Sequence, residues 1–206
     1  GSASNLSIDP DGNVGVGTAT PNLGSAEGLH IYSSAAAMVC QSTSSANSVL
    51  DIRADGIGDP QIFFDLAGAT PFSIGVDNSD GDKFKISANY QLGTSDRLVI
   101  DSAGNVGIGT DDPSKLLEVQ GSDPQIRLKS SDATDAIIKI DAGTAKDSYL
   151  TFAQNGSSKW TVVHDLAGTD KLSIYNYATD AHRMTFLPDG NVGIGTASPN
   201  ALLEIN

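Results

Sequence analysis

Two sets of side chains in this 206-residue sequence are of types that bind metal ions, namely an acidic cluster and three histidines. The cluster Asp77–Asp82 is rich in oxygen ligands, but a calcium loop normally also needs a bidentate glutamate, which the cluster lacks. His30, His164 and His182 are far apart in sequence, whereas zinc ligands are normally closely spaced. We therefore expect no metal site and no cofactor, and we interpret Asp77–Asp82 as a solvated turn.

Acidic side chains also catalyse glycoside hydrolysis, in which two carboxylates flank the scissile bond. Only a few acidic positions recur in the long repeat described below; two that do, Asp77 with Asp165 and Asp82 with Asp170, suit turns. No Ser-His-Asp or Cys-His constellation stands out. The sequence therefore predicts a protein that is not an enzyme. A polysaccharide-depolymerising, tailspike-like enzyme stays as an alternative, because catalytic carboxylates need not be close in sequence.

A glycine-rich motif that occurs three times is the strongest signal in the sequence. The copies span residues 12–18, 104–110 and 190–196; each has the form Gly-Asn-Val-Gly-(Val/Ile)-Gly-Thr, and a proline follows three residues later. A phosphate-binding glycine loop must open a helix, whereas here a Thr-x-x-Pro segment and a short apolar stretch follow. The motif is therefore predicted to be structural rather than nucleotide-binding.

The residues around each motif predict a β-hairpin. The segment Pro10-Asp11-Gly12-Asn13 favours a tight turn, because proline presets φ and glycine tolerates positive φ. In the strand that follows, side-chain alternation puts Val14 and Val16 on one face and glycines on the other. Such a bare face allows close approach by another backbone, which we assign to another copy of the chain. The trimer-packing residues predicted in this way are Gly15, Gly17, Gly107, Gly109, Gly193 and Gly195.

A longer repeat connects the motifs. When Leu29 is laid on Leu117, 88 residues later, most apolar positions of the two segments coincide, and a small deletion near residues 89–95 then changes the offset to 86. This period fits a small domain plus a connector repeated head to tail. The predicted organisation is the end of a preceding repeat at 1–28, with residues 1–3 as a cloning remnant, repeat units at 29–116 and 117–199, and the start of a next unit at 200–206.

Within each unit, apolar residues alternate with polar ones in short runs separated by Gly, Asp, Asn and Ser clusters, as is typical of β-strands. No helix of useful length is predicted, and the expected fold class is all-β. In the first unit, the runs contain Val49 and Ile52, Ile62 and Phe64, Phe72 and Ile74, Phe84 and Ile86, and Leu98 and Ile100.

Composition and charge exclude several classes of partner. The formal net charge is −13 and there is no Lys/Arg cluster, which argues against nucleic acid and against an anionic membrane surface. The longest apolar run, residues 35–40, is far shorter than the roughly 20 residues of a transmembrane helix. Abundant glycine and a charged fraction of only 18% are usual in extracellular β-rich proteins. We expect an extracellular location, no nucleic-acid partner and no membrane insertion.

The thrice-repeated run Gly-Asn-Val-Gly-(Val/Ile)-Gly-Thr-x-x-Pro resembles the repeat of phage tail fibres and bacterial surface fibres, including the trimeric adhesive fibres of predatory bacteria. The resemblance covers nearly the whole chain. It implies small β domains joined by glycine-rich hairpin connectors in an elongated, intertwined homotrimer, often ahead of a cleaved intramolecular chaperone, which this sequence does not contain. It also implies a structural and attachment role in a virion tail fibre or on a bacterial cell surface.

A receptor site is expected where the two repeat units differ, because shared positions are explained by the fold. Tyr175 and Tyr177 stand where the first unit has Ser87 and Asn89, and these rings could stack on a cell-surface glycan or receptor. Alternatively, the same rings fill a groove between chains, since aromatic residues are favoured at interfaces. A monomeric tandem β-sandwich adhesin stalk is a further alternative to the trimer. The candidate ligand-binding residues are Tyr175, Tyr177, His182 and Arg183.

Overall fold

The computed structural model describes residues 6–10, 13–16, 29–31, 47, 49–131, 135–165 and 170–206. Over these ranges the protein is all-β, as the alternating pattern predicts, and the one helical element among them is a three-residue 3-10 helix, Asn78–Asp80. The chain divides into two compact units, residues 1–125 (unit 1) and 126–206 (unit 2). Within the described ranges, no helix has the length and apolarity needed to cross a membrane.

Unit 1 begins with a small sheet that contains the first glycine motif. Strand β1 runs antiparallel to β2, which is parallel to β3. The carboxylate of Asp9 closes the turn between β1 and β2, since it accepts hydrogen bonds from the backbone N and the Nδ2 of Asn13 at 2.8 and 2.9 Å. The strands are β1 (Leu6–Ile8), β2 (Val14–Val16) and β3 (Leu29–Ile31).

A six-stranded sheet contains the other strands that are described in unit 1. Its strands follow sequence order; the first five are antiparallel to their neighbours and the last is parallel to the fifth. Its strands are β4 (Gln61–Phe64), β5 (Phe72–Asp77), β6 (Lys83–Ser87), β7 (Asp96–Ile100), β8 (Val106–Ile108) and β9 (Leu117–Val119).

Unit 2 contains a six-stranded sheet with the same strand order and the same pattern of pairing. One register shift also corresponds, since it lies between Ile86 and Ser87 in unit 1 and between Ile174 and Tyr175 in unit 2. A second shift, between Phe152 and Ala153, occurs in unit 2 alone among the described pairings. Its strands are β10 (Ser148–Gln154), β11 (Ser157–Asp165), β12 (Lys171–Asn176), β13 (Ala181–Phe186), β14 (Val192–Ile194) and β15 (Leu203–Ile205).

The glycines after each turn do meet a closely approaching backbone, but in the described copies that backbone belongs to the same chain. A Cβ placed on Gly193 would lie 2.7 Å from the carbonyl oxygen of Thr196 and 2.9 Å from its Cγ2. Gly107 lies in the same way against Thr110. The bare strand face therefore accommodates the chain's own crossover to the next, parallel strand. Contact of these glycines with another subunit stays a prediction.

The other motif glycines have different surroundings. Gly109 and Gly195 have φ of +74° and +78°, a conformation that favours glycine, and they lie against the backbone carbonyls of Gln120 and Asn206. Gly15 is buried in β2. Gly17 lies outside the described residues.

One predicted strand does not form. Residues 49–60, which include Val49 and Ile52, belong to no strand, and neither do residues 135–147 of unit 2. The apolar side chains in these segments are exposed; Val49 and Ile137 are both 71% accessible. Alternation marks residues that favour an apolar environment, but it does not supply a neighbouring backbone to complete the hydrogen bonds.

Candidate functional site

In an ordinary globular sheet, the apolar face is buried and the polar face is exposed to solvent. Both six-stranded sheets of this chain show the reverse. Residues paired across the strands share a face, and the register places the large apolar side chains together on one face of each sheet. This apolar face is exposed in the single chain. Its exposed members are Ile62, Phe64, Phe72, Phe84, Ile108 and Leu117 in unit 1, and Leu150, Phe152, Trp160, Leu172, Phe186, Ile194, Leu203 and Ile205 in unit 2.

The opposite face of each sheet is mostly polar or small, and its central positions are buried. Ser73 and Ser87 in unit 1 and Ser173 and Thr185 in unit 2 are fully inaccessible to solvent. In unit 1, loop 88–95 lies over part of this face, since its Gly93 sits beside the carboxylate of Asp77. In unit 1 a loop of the same chain thus covers part of this face, while in neither unit does a described strand pack as a second layer on the apolar face.

A buried ion cluster lies under loop 88–95 in unit 1. The Lys85 ammonium is 2.8 Å from Asp77 Oδ2, 2.6 Å from Asp80 Oδ2 and 3.2 Å from Asp96 Oδ2. Lys85 is only 1% exposed and Asp77 only 2%. The interpretation of Asp77–Asp82 as a solvated turn is therefore wrong for Asp77, whose carboxylate is buried against Lys85, eight residues further along the chain.

Mutual neutralisation keeps this cluster ionised. Burial by itself raises the pKa of Asp77, but hydrogen bonds from Lys85 and Ser79 outweigh burial and hold that pKa below its usual value. The pKa of Asp80 is lowered first by its hydrogen bond from Lys85. Burial alone lowers the pKa of Lys85, yet the three carboxylates together raise it above its ordinary value. The cluster thus stabilises the covering loop and offers no free group to a ligand.

The corresponding face of unit 2 is open and carries a groove of about 270 Å³. Tyr175 makes edge-to-face contacts with Tyr177 and His182, with ring centroids 5.2 Å apart in both cases. The Tyr149 hydroxyl donates to Asp147 Oδ2 at 2.8 Å. The groove is lined by Asp147, Tyr149, Thr161, Val163, Asp165, Tyr175 and Tyr177.

Three of the four predicted ligand-binding residues come together here. Tyr175 and Tyr177 line the groove, and His182 lies behind Tyr175 with its pKa lowered, chiefly by burial. Arg183 is not a groove residue; its guanidinium donates to Thr179 Oγ1 at 2.7 Å. Arg183 lies at the register shift in the β12–β13 pairing. The sequence pattern does not predict this shift.

The sequence prediction missed Asp147, Tyr149 and Asp165. Tyr149 stands where unit 1 has Gln61, so the same comparison between units that selects Tyr175 also selects it. Asp165 was assigned to a turn because it matches Asp77. Asp165 lines the groove, and the spacing of residues in the sequence does not reveal that the groove exists.

Among the described residues, no group of three or more His, Cys, Asp or Glu side chains is arranged to hold a metal ion. Neither a protein-family model nor a curated protein matches this sequence. Two structural features bear on function: the exposed apolar face of each sheet and the tyrosine-lined groove of unit 2.

Proposed function

We propose that this chain is a structural and attachment segment of an extracellular homotrimeric fibre, in which three copies bury their apolar sheet faces against one another. The exposed apolar face is the observation that carries the proposal. Each Å² of apolar surface that is removed from water stabilises an assembly by roughly 25 cal/mol. A contiguous exposed patch of many large apolar side chains normally marks an interaction surface. A second copy carries the same face, so self-association covers it without any other partner.

The number three comes from the resemblance of the glycine-motif repeat to trimeric fibres. Three sheets with their apolar faces turned inward would enclose a prism-shaped core, and the opposite, mostly polar faces would lie outside. The unpaired apolar segments 49–60 and 135–147 support intertwining, because in a trimer each can run beside a neighbouring chain. A monomeric β-sandwich stalk is less well supported, since it needs a second layer over each apolar face.

Trp160, the sole tryptophan, tests this arrangement. It lies on the apolar face of unit 2 and is 41% exposed in the single chain. In the native protein we expect a blue-shifted emission and weak quenching by acrylamide, because neighbouring copies exclude water from the face. The same protein unfolded in guanidinium is the control. Native emission and quenching equal to those of the unfolded chain would contradict burial of this face between copies.

A further inference from the structure

We propose that the tyrosine-lined groove of unit 2 binds an organic ammonium group, such as the amine of an amino sugar on a surface glycan. The inference rests on the attachment role proposed above for its biological use, although the groove itself is formed within one unit.

In unit 1, the chain supplies its own ammonium on this face. Lys85 carries it, and Asp77 is one of the carboxylates that hold it. Unit 2 keeps the carboxylate as Asp165 but has Ser173 in place of the lysine, 88 residues after Lys85. Lys171 approaches Asp165, but only to 3.4 Å. Unit 2 thus retains an anionic position without the buried lysine that neutralises its counterpart.

The loop above this face is also shorter in unit 2. Between β6 and β7, loop 88–95 has eight residues and buries Leu92, whereas β12 and β13 are joined by only four, 177–180. The shorter connection leaves room for the groove on this face. Tyr177 lies in this short connection and Tyr175 on the adjoining strand, so both rings wall the groove that the longer loop would fill.

The chemistry of the groove suits a cation. Its carboxylates are Asp147 and Asp165, and a third, Asp180, accepts the Tyr175 hydroxyl hydrogen bond. Among the described residues, Lys171 forms an ion pair with Asp165. Burial favours the neutral form of His182 by lowering its pKa. Aromatic faces attract ammonium groups through their quadrupole, and neighbouring carboxylates add direct charge attraction. The floor, formed by Thr161 and Val163, is buried and excludes water from one side.

The test is a calorimetric titration of the assembled native protein with glucosamine and with glucose, which has the same ring but no ammonium. Glucosamine is expected to bind at least about tenfold more tightly than glucose. Asp165→Asn should reduce that preference, because it removes charge and keeps shape. Tyr175→Ser, which installs the unit 1 residue, should weaken glucosamine binding at least about tenfold.

Tyr90→Ser is the matched control, because Tyr90 is a half-exposed tyrosine that packs against Phe63 in unit 1, outside the groove. It should leave glucosamine affinity unchanged. Equal binding of glucose and glucosamine would overturn the ammonium proposal, and so would an absence of binding by a protein that is still trimeric. Loss of the trimer in the unmodified protein would instead count against the proposed fibre, so the two failures are distinguishable.

Discussion

Replacing Lys85 by methionine is expected to lower the free energy of unfolding by about 3–5 kcal/mol, because it removes the ammonium that lies within 3.2 Å of three carboxylates in the buried cluster of unit 1. Methionine fills a similar volume, so the loss reports charge rather than packing. Asp77 and Asp96 are buried and would be left without their cation. Urea denaturation at fixed protein concentration measures the change.

Lys139→Met is the matched control for this experiment. Lys139 pairs with Asp141 at 2.7 Å, but both side chains are largely exposed, and such surface pairs contribute at most about 1 kcal/mol. If Lys85→Met were no more destabilising than Lys139→Met, the ion cluster would not be a stabilising element of the fold.

The effect of Lys85→Met should depend on pH. The pKa values of Asp77 and Asp80 are lowered in the folded protein, so the cluster contributes stability above the ordinary aspartate pKa of about 4, and this is lost as pH falls through the lowered values. In the variant, Asp77 and Asp96 are buried without a cation, so their protonation at low pH removes an unpaired charge and raises stability. The difference in stability between wild type and variant should therefore narrow as the pH falls, starting above about 4, because burial without the lysine raises the pKa of Asp77 in the variant. A constant difference would contradict the charge-based explanation.

Phe84→Asp is expected to dissociate the assembly. Phe84 lies on the apolar face of β6 and is 36% exposed in the single chain, so a lone monomer would tolerate aspartate there. In a trimer the same change buries three carboxylates in one apolar core, and each unpaired buried charge costs several kcal/mol. Molar mass and melting temperature, measured together, detect the loss of assembly.

Phe63→Asp is the control for the apolar-face variant. Phe63 is also a phenylalanine of the unit 1 sheet and is 49% exposed, but it lies on the opposite face and packs against Tyr90. We expect this variant to remain assembled. Dissociation of both variants, or of neither, would contradict the assignment of one face to the subunit interface.

The fold class and the composition of each sheet face were predictable from the sequence. Alternation in Phe84-Lys85-Ile86 assigns the lysine to the face opposite the two apolar side chains, and the structure confirms that assignment. Alternation does not reveal that loop 88–95 covers the lysine. That contact depends on a loop conformation that no two-residue period encodes, so the buried cluster was not predictable.

The glycine motif shows the same limit. Its spacing predicts close approach by a backbone but does not identify which segment approaches, and Thr110 of the same chain occupies that position at Gly107. Leucine at Gly107 would therefore clash within a single chain, so that substitution does not distinguish a trimer from a monomer. In the site, the difference between units selected Tyr175 and Tyr177, which both line the groove, whereas Arg183, predicted with them, does not line it. Ligand binding by the two tyrosines stays a prediction.

Molar mass in solution tests the central claim most directly. Light scattering coupled to size-exclusion chromatography should give three times the chain mass of 21.2 kDa, and the value should not fall on dilution, because three apolar faces are buried together. A mass of twice the chain would indicate a two-layer assembly and would overturn the trimer. A mass equal to one chain would contradict the interface itself, since the apolar faces of both units would then be exposed to water.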